Sequence, residues 1–409
     1  MNFFSVIAIL LTAAALFSFL NHRYLHLPRA IGIMLIALLI SIVIMLSDVL
    51  GFAAGWRLRE LLADINFSQT LLQGMLSFML FAGALQTNYL DLKKEKYVVG
   101  TLATVGVIIS TFIIGVGTHF IMRLLGIELS LLYCLAFGAL ISPTDPIAVL
   151  AVLKHANIPK SVSTEIAGEA LFNDGMGVVA FFIFMTLATA HAHLASSEIA
   201  LILIRTVIGG ILIGIVLGWI GAWLTSSAND VQVEALITLA LAAGGYALAM
   251  WLKTSAPIAV VVAGLWLGHK RRLYDPESRQ PGQLAFFWEL IDEILNALLF
   301  VLIGFYLLML PLEPHELTVG GLAIVVVLLG RYISVGAIVA FFRLRRPVTP
   351  KVVSMLTWGG IRGGISIALA LSIPVDQPRE IIVSITYIVV AFSILVQGLT
   401  IRKLIKEKQ

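Results

Sequence analysis

Apolar residues run through this chain in long unbroken stretches separated by short polar turns. Barrel strands alternate over roughly ten residues, whereas these runs are continuous and long enough to cross a bilayer as helices. The pattern predicts thirteen spans: 3–20, 30–50, 66–88, 97–123, 130–153, 163–189, 198–225, 232–252, 256–269, 284–310, 317–342, 350–373 and 379–400. The predicted fold class is an all-α polytopic membrane protein. An odd number of crossings places the two termini on opposite sides. Met1-Asn2-Phe3-Phe4 has no basic lead, so the first run reads as a spanning helix and not as a cleaved signal peptide. Arg402 to Gln409 read as a short basic tail, and no soluble domain is expected.

Composition agrees with this reading. The chain is 60% hydrophobic and 12% charged, with mean hydropathy +1.02. A soluble domain of this size could not hide so much apolar sequence. Its one cysteine, Cys134, excludes intrachain disulfides and offers no metal cluster. No glycine-rich phosphate loop is found, which argues against an ATP-driven pump. No cofactor and no nucleic-acid partner are expected.

Charge sets the orientation. With the N-terminus outside, the inner segments hold 19 of the 27 Lys and Arg, and the outer loops hold five. That bias predicts a cytoplasmic C-terminus in a cell membrane. Arg205, Arg331 and Arg362 fall within spans.

Two spans are interrupted. Span 5 is broken at SPTDP (Ser142 to Pro146) and span 12 at GGIRGG (Gly359 to Gly364). Seven spans separate them, so the two copies are inverted, giving two repeats of six spans with crossed discontinuous helices. Broken helices at corresponding positions of two halves point to a transporter's binding site.

The chemistry gathers at these breaks. A carboxylate at the bilayer centre costs at least about 2.5–3.5 kcal/mol, so Asp145 and Asp174 mark an ion or proton pathway. Pro143 and Pro146 free the carbonyls of Ala139 and Ser142, which with the Thr144 oxygens can ligate a cation. Asp145 before Pro146 also reads as the N-cap of a second half-helix. In GEALFND, Glu169 and Asn173 share a helix face, and Asp174 is rotated by about 100° from Asn173. Hard oxygen ligands suit alkali cations, and carboxylates suit competing protons. Two buried arginines need partners. Arg331 is assigned to Glu169, and Arg362 to Asp145 and the half-helix carbonyl ends at the span 12 break. For each group there is a purely structural alternative: a proline kink with a capping Asp, interhelical hydrogen bonds for Glu169 and Asn173, and packing for both arginines.

Weaker signals read as structure. Gly210, Gly214 and Gly218 are spaced for close helix packing, with a dimer seam as the alternative. Glu289, Asp292 and Glu293 read as a solvated helix end or as an attractor for cations. His119 reads as a packed histidine, with pH sensing as the alternative.

The runs SPTDP, GEALFND, GRYISVG and WGGIRGGISIAL, with FWELIDEILNALLFVLIG in span 10, resemble the monovalent cation/proton antiporters, specifically the NhaP-like sodium/proton exchanger branch. The resemblance covers nearly the whole chain in motif order. It implies thirteen helices, inverted repeats, a homodimer, and a core (about 97–189 and 317–400) that moves against a dimerisation scaffold (about 1–96 and 198–310). It implies an ion site at Thr144, Asp145, Asn173 and Asp174 and a structural Glu169–Arg331 pair. Ala170 stands where the family often has Ser, and no acid lies between Ile65 and Leu90, where many members carry one.

The expected function is secondary exchange of Na+ or Li+ for H+ by alternating access, electroneutral at one for one, with no enzymatic activity. Asp174 is the shared carrier: burial disfavours its charged form and a nearby cation favours it, so proton and cation compete for one group. Exchange of K+ for H+ is the closest rival, followed by a cation channel. An intramembrane aspartyl protease also uses two buried Asp, but its Gly-x-Gly-Asp setting is missing here.

Overall fold

The computed structural model describes residues 3–50, 70–145, 160–189, 196–228, 230–274, 282–310, 313–343 and 350–401. These are helical throughout, with no strand among the described residues. In chain order the helices are α1 (Phe3–Leu20), α2 (Arg29–Val49), α3 (Leu76–Gln86), α4 (Tyr89–Lys94), α5 (Lys96–Leu124), α6 (Leu131–Ile141), α7 (Lys160–Thr189), α8 (Ser196–Ala228), α9 (Val231–Trp251), α10 (Ala256–Tyr274), α11 (Gln283–Tyr306), α12 (Pro314–Arg343), α13 (Pro350–Trp358), α14 (Gly364–Leu371) and α15 (Arg379–Phe392). Proline opens α12 and α13, where its missing N–H is not needed. The Asp230 side chain caps α9 by accepting from the Gln232 and Val233 amides.

Nine helices among the described residues are long and apolar enough to cross a membrane. Of the other four predicted spans, three are shorter or interrupted, and span 9 is a continuous helix with a basic end. Span 3 begins with a π-helical turn, Thr70–Met75, and continues as α3. Span 5 is represented by α6 and an irregular stretch to Asp145; its expected second half-helix lies outside the described residues. Span 12 is α13, an irregular segment at 359–363, and α14. Span 9 corrects its predicted end: α10 runs to Tyr274, not 269. It continues through the basic cluster because Arg271 Nη2 pairs with Glu234 on α9 at 2.7 Å.

The glycines of α8 explain much of the packing. A Cβ on Gly214 would lie 2.5 Å from the Ala259 carbonyl, and Gly210 and Gly218 meet Ser255 and Trp266 just as closely. The stripe therefore seats α8 against α10 of the same chain and is no dimer seam. The opposite side of α10 repeats the device, with Gly264 and Gly268 against Phe81, Ala84 and Leu85 of α3. Small residues let backbones approach where lipid supplies no hydrophobic drive. Elsewhere Ser41 on α2 donates to the Gly304 carbonyl of α11 at 3.0 Å, and Trp288 Nε1 on α11 donates to Thr238 Oγ1 on α9 at 3.0 Å. His119 Nδ1 lies 3.0 Å from the Leu129 carbonyl, matching its packed reading.

Candidate functional site

The two interrupted spans cross. Where α6 ends, the Asp145 amide donates to the Ile361 carbonyl at 2.7 Å, so backbone from one break satisfies backbone from the other. Each break exposes groups a continuous helix would pair internally, and such groups are tolerated at membrane depth only in protein or around a wet cavity.

Arg362 fastens the crossing. Its Nη1 donates to the carbonyls of Ser142 and, at 2.8 Å, of Pro143. The sequence assigned it Asp145 and the carbonyl ends at its own break, in span 12. The hydrogen bonds of its Nη1 correct the second assignment: they run to carbonyls of the other break, in span 5, because those oxygens converge at the end of α6, where the helix dipole is negative. This also corrects the expectation that the Ser142 oxygen is available to a cation.

Behind the crossing, α7 presents its polar face. Arg331 on α12 clasps Glu169 with two hydrogen bonds, Nη1 to Oε1 and Nη2 to Oε2 at 2.9 Å. Its Nη2 also reaches the Leu356 carbonyl at 3.2 Å. Both side chains are buried, and the fork geometry is the one that best offsets desolvation. One turn along α7, Asn173 Nδ2 donates to Thr144 Oγ1 at 2.9 Å.

Asp174 faces a different space. It and Asp145 line one cavity of about 1400 Å³, with Pro143, Gly363, Gly364 and Ser366. Asp174 is 4% exposed, and among the described residues no ion pair includes it. The same cavity is lined by Glu289, Asp292, Glu293 and Asn296 on α11. Glu289 and Glu293 are exposed, Asp292 is half-buried and Asn296 is buried, so one face of α11 leads inward from solvent. Glu293 is paired with Arg29 at the start of α2. Thus two of the four predicted ligands, Asp145 and Asp174, meet in the cavity. Thr144 and Asn173 bond to each other and are not among its lining residues.

Sequence reading missed Ser393 and Gln397. A π-helical turn, Ser393–Gln397, extends α15 and sets both side chains toward the break. Ser393 Oγ accepts from the Arg362 amide at 2.9 Å, and Gln397 Nε2 donates to the Trp358 carbonyl at 3.2 Å. Their signal was two polar residues four apart, on one helix face, in the second half of span 13. π-Turns recur at functional sites because they re-aim side chains within a helix.

Crossed, interrupted helices with acids at a deep cavity define a polytopic helical membrane protein of the transporter kind. Residues 6–407 match the family described as sodium/hydrogen exchanger, transmembrane. The chain belongs to that family. It is 43% identical to the Na(+)/H(+) antiporter NhaP of Pseudomonas aeruginosa, over 98% of this chain and 96% of that protein. It is 32% identical to the Na(+)/H(+) antiporter NhaH of Halobacillus dabanensis, over 83% of each. Among solved structures, the sodium proton antiporter MjNhaP1 of Methanocaldococcus jannaschii superposes with a TM-score of 0.73 at 20% identity, covering 98% of this chain and all of that one. That last likeness is one of fold.

Proposed function

We propose that this protein is a secondary active antiporter exchanging Na+ or Li+ for H+ across a cell membrane. The observation that carries the reading is the placement of buried Asp174 beside Asp145 in a cavity reached past a row of acids. Family membership and the printed names of the relatives support Na+ as substrate. Asp174 holds a proton or a cation, never both. Asp145 contributes the second carboxylate, and Thr144 with Asn173 holds it in place from behind. Glu169, Arg331 and Arg362 are structural. Because one carboxylate serves both ions, lowering the pH raises the Na+ concentration needed for half-maximal exchange.

The working cycle in this reading is alternating access across thirteen crossings. The core, about 97–189 and 317–400, moves against a scaffold of about 1–96 and 198–310 in a homodimer. The positive-inside count puts the N-terminus outside, so the acid-lined cavity opens to the cytoplasm. Exchange is one for one. Arg331 offsets Glu169, Arg362 offsets Asp145, and Asn173 cannot titrate, which leaves Asp174 alone to trade charge. Proteoliposomes with an imposed pH gradient test the function, with Na+, Li+ and K+ supplied in turn. Proton flux coupled to Na+ or Li+ is expected. Flux with K+ alone would replace the substrate, and uncoupled cation leak would make the protein a channel.

A further inference from the structure

A second cavity lies on the far side of the crossing. It is enclosed by Arg331, Thr357, Gly360, Arg362 and Gln397, with Val389 and Phe392 of α15 closing it. Its volume is about 10 Å³, room for a single water-sized group. Three buried side-chain atoms on its lining residues have no hydrogen-bond partner among the described residues: Arg331 Nε, Arg362 Nε and Thr357 Oγ1. Both terminal nitrogens of Arg331 are engaged elsewhere, on Glu169 and Leu356, and Nη1 of Arg362 is engaged on Ser142 and Pro143. Their Nε–H groups are left without a partner, on residues that line one small, largely apolar space.

We propose that this cavity is a binding site for one small hydrogen-bond acceptor, a water molecule or a halide ion, held by the Nε–H groups of Arg331 and Arg362 and by the Thr357 hydroxyl. Chemistry excludes a cation, since two guanidinium groups and no carboxylate line the space. Size excludes a polyatomic anion. Buried donors on charged groups are rarely left unmade, because the lost hydration is not returned. Gly360 keeps the approach open, since a Cβ there would lie 2.8 Å from Arg331 Nε. The bound acceptor sits between two like charges and links α12, α13 and the crossing segment. It thereby joins the Glu169–Arg331 clasp and the Arg362 clasp into one unit. This holds whichever cation the protein carries.

High-resolution structures of the full chain in sodium gluconate, chloride and bromide test the site. Density within hydrogen-bonding distance of both Nε atoms is expected. If it persists in gluconate the acceptor is water; if it vanishes there and gives an anomalous peak in bromide it is a halide. No density in any of the three salts overturns the proposal. Two variants give an independent reading by thermal unfolding. Thr357→Val keeps the shape and removes the hydroxyl, and is expected to lower the melting temperature by about 2–5 °C. An unchanged value would remove Thr357 from the site. Val389→Ile adds one methyl group to the wall. It is expected to lower the melting temperature by expelling the acceptor, whereas a rise would mark a dry packing void and overturn the proposal.

Discussion

The amide of Asp145 and the carbonyl of Ile361 are 2.7 Å apart, and this single backbone bond ties together two helices broken 216 residues apart in sequence. The Asp145 side chain then lies over Gly363, where a Cβ would sit 2.5 Å from its Oδ2. Gly363 has φ −111°, open to any residue, so its constraint is space alone. Gly363→Ala is expected to displace Asp145 and reduce exchange more than tenfold. Gly321→Ala on α12 meets nothing within 4 Å and serves as the control, with exchange unchanged. Vesicle flux assays on both variants check the pair, and equal activities would show that Asp145 tolerates displacement.

Asp174→Asn is expected to abolish exchange while the protein still folds into the membrane. The substitution keeps shape and removes the charge that a proton or cation would neutralise. Flux in proteoliposomes and the elution profile of the purified variant measure the two halves. Near wild-type flux would take the carrier role away from Asp174.

The Glu169–Arg331 clasp is expected to be structural. Removing one partner strands a buried charge, at a cost of about 3–5 kcal/mol. Glu169→Gln and Arg331→Met are each expected to lower the melting temperature or the yield, and the double variant to lose less than the sum. Additive losses in that double-mutant cycle would rule out an energetic pairing.

One-for-one exchange predicts indifference to voltage. A net charge moved per cycle would be biased by about 2.3 kcal/mol at 100 mV. Proteoliposomes clamped with potassium and valinomycin at zero and then at about −100 mV are expected to reach the same exchange equilibrium. A voltage-dependent shift would assign a second titrating group, with Asp145 the first candidate.

The α8–α10 seam is intramolecular, so enlarging it should harm the protomer and not its assembly. Gly214→Leu is expected to reduce thermal stability sharply, with any surviving protein keeping the oligomeric mass of the wild type by light scattering. A stable protein of lower mass would relocate the seam to a subunit interface.

The features legible in the sequence are those whose cost in a membrane is high. Asp145, Asp174, Glu169, Arg331 and Pro143 stand out because lipid penalises charges and unpaired carbonyls, and each lies at a break or a buried contact. Partners that are backbone atoms left no trace. Nothing in GGIRGG says that Arg362 takes the oxygens of residues 142 and 143, since every residue carries a carbonyl. Glycine spacing announced a close approach for Gly210, Gly214 and Gly218 without saying to which helix. The extent of α10 escaped because hydropathy ends at Lys270, whereas the helix is sustained by Arg271 reaching Glu234.

The grip of Arg362 on the Ser142 and Pro143 carbonyls bears on how an ion is stripped of water. Oxygens that a helix break releases are the usual replacement for a hydration shell, and here a guanidinium already occupies two at this break, those of Ser142 and Pro143. On the proposed function, an ion held between Asp145 and Asp174 would be left with few protein ligands beyond the two carboxylates and would retain part of its own water. Discrimination among alkali ions then rests on how readily each yields that remaining shell to carboxylate oxygen, and less on the radius of a dry cage.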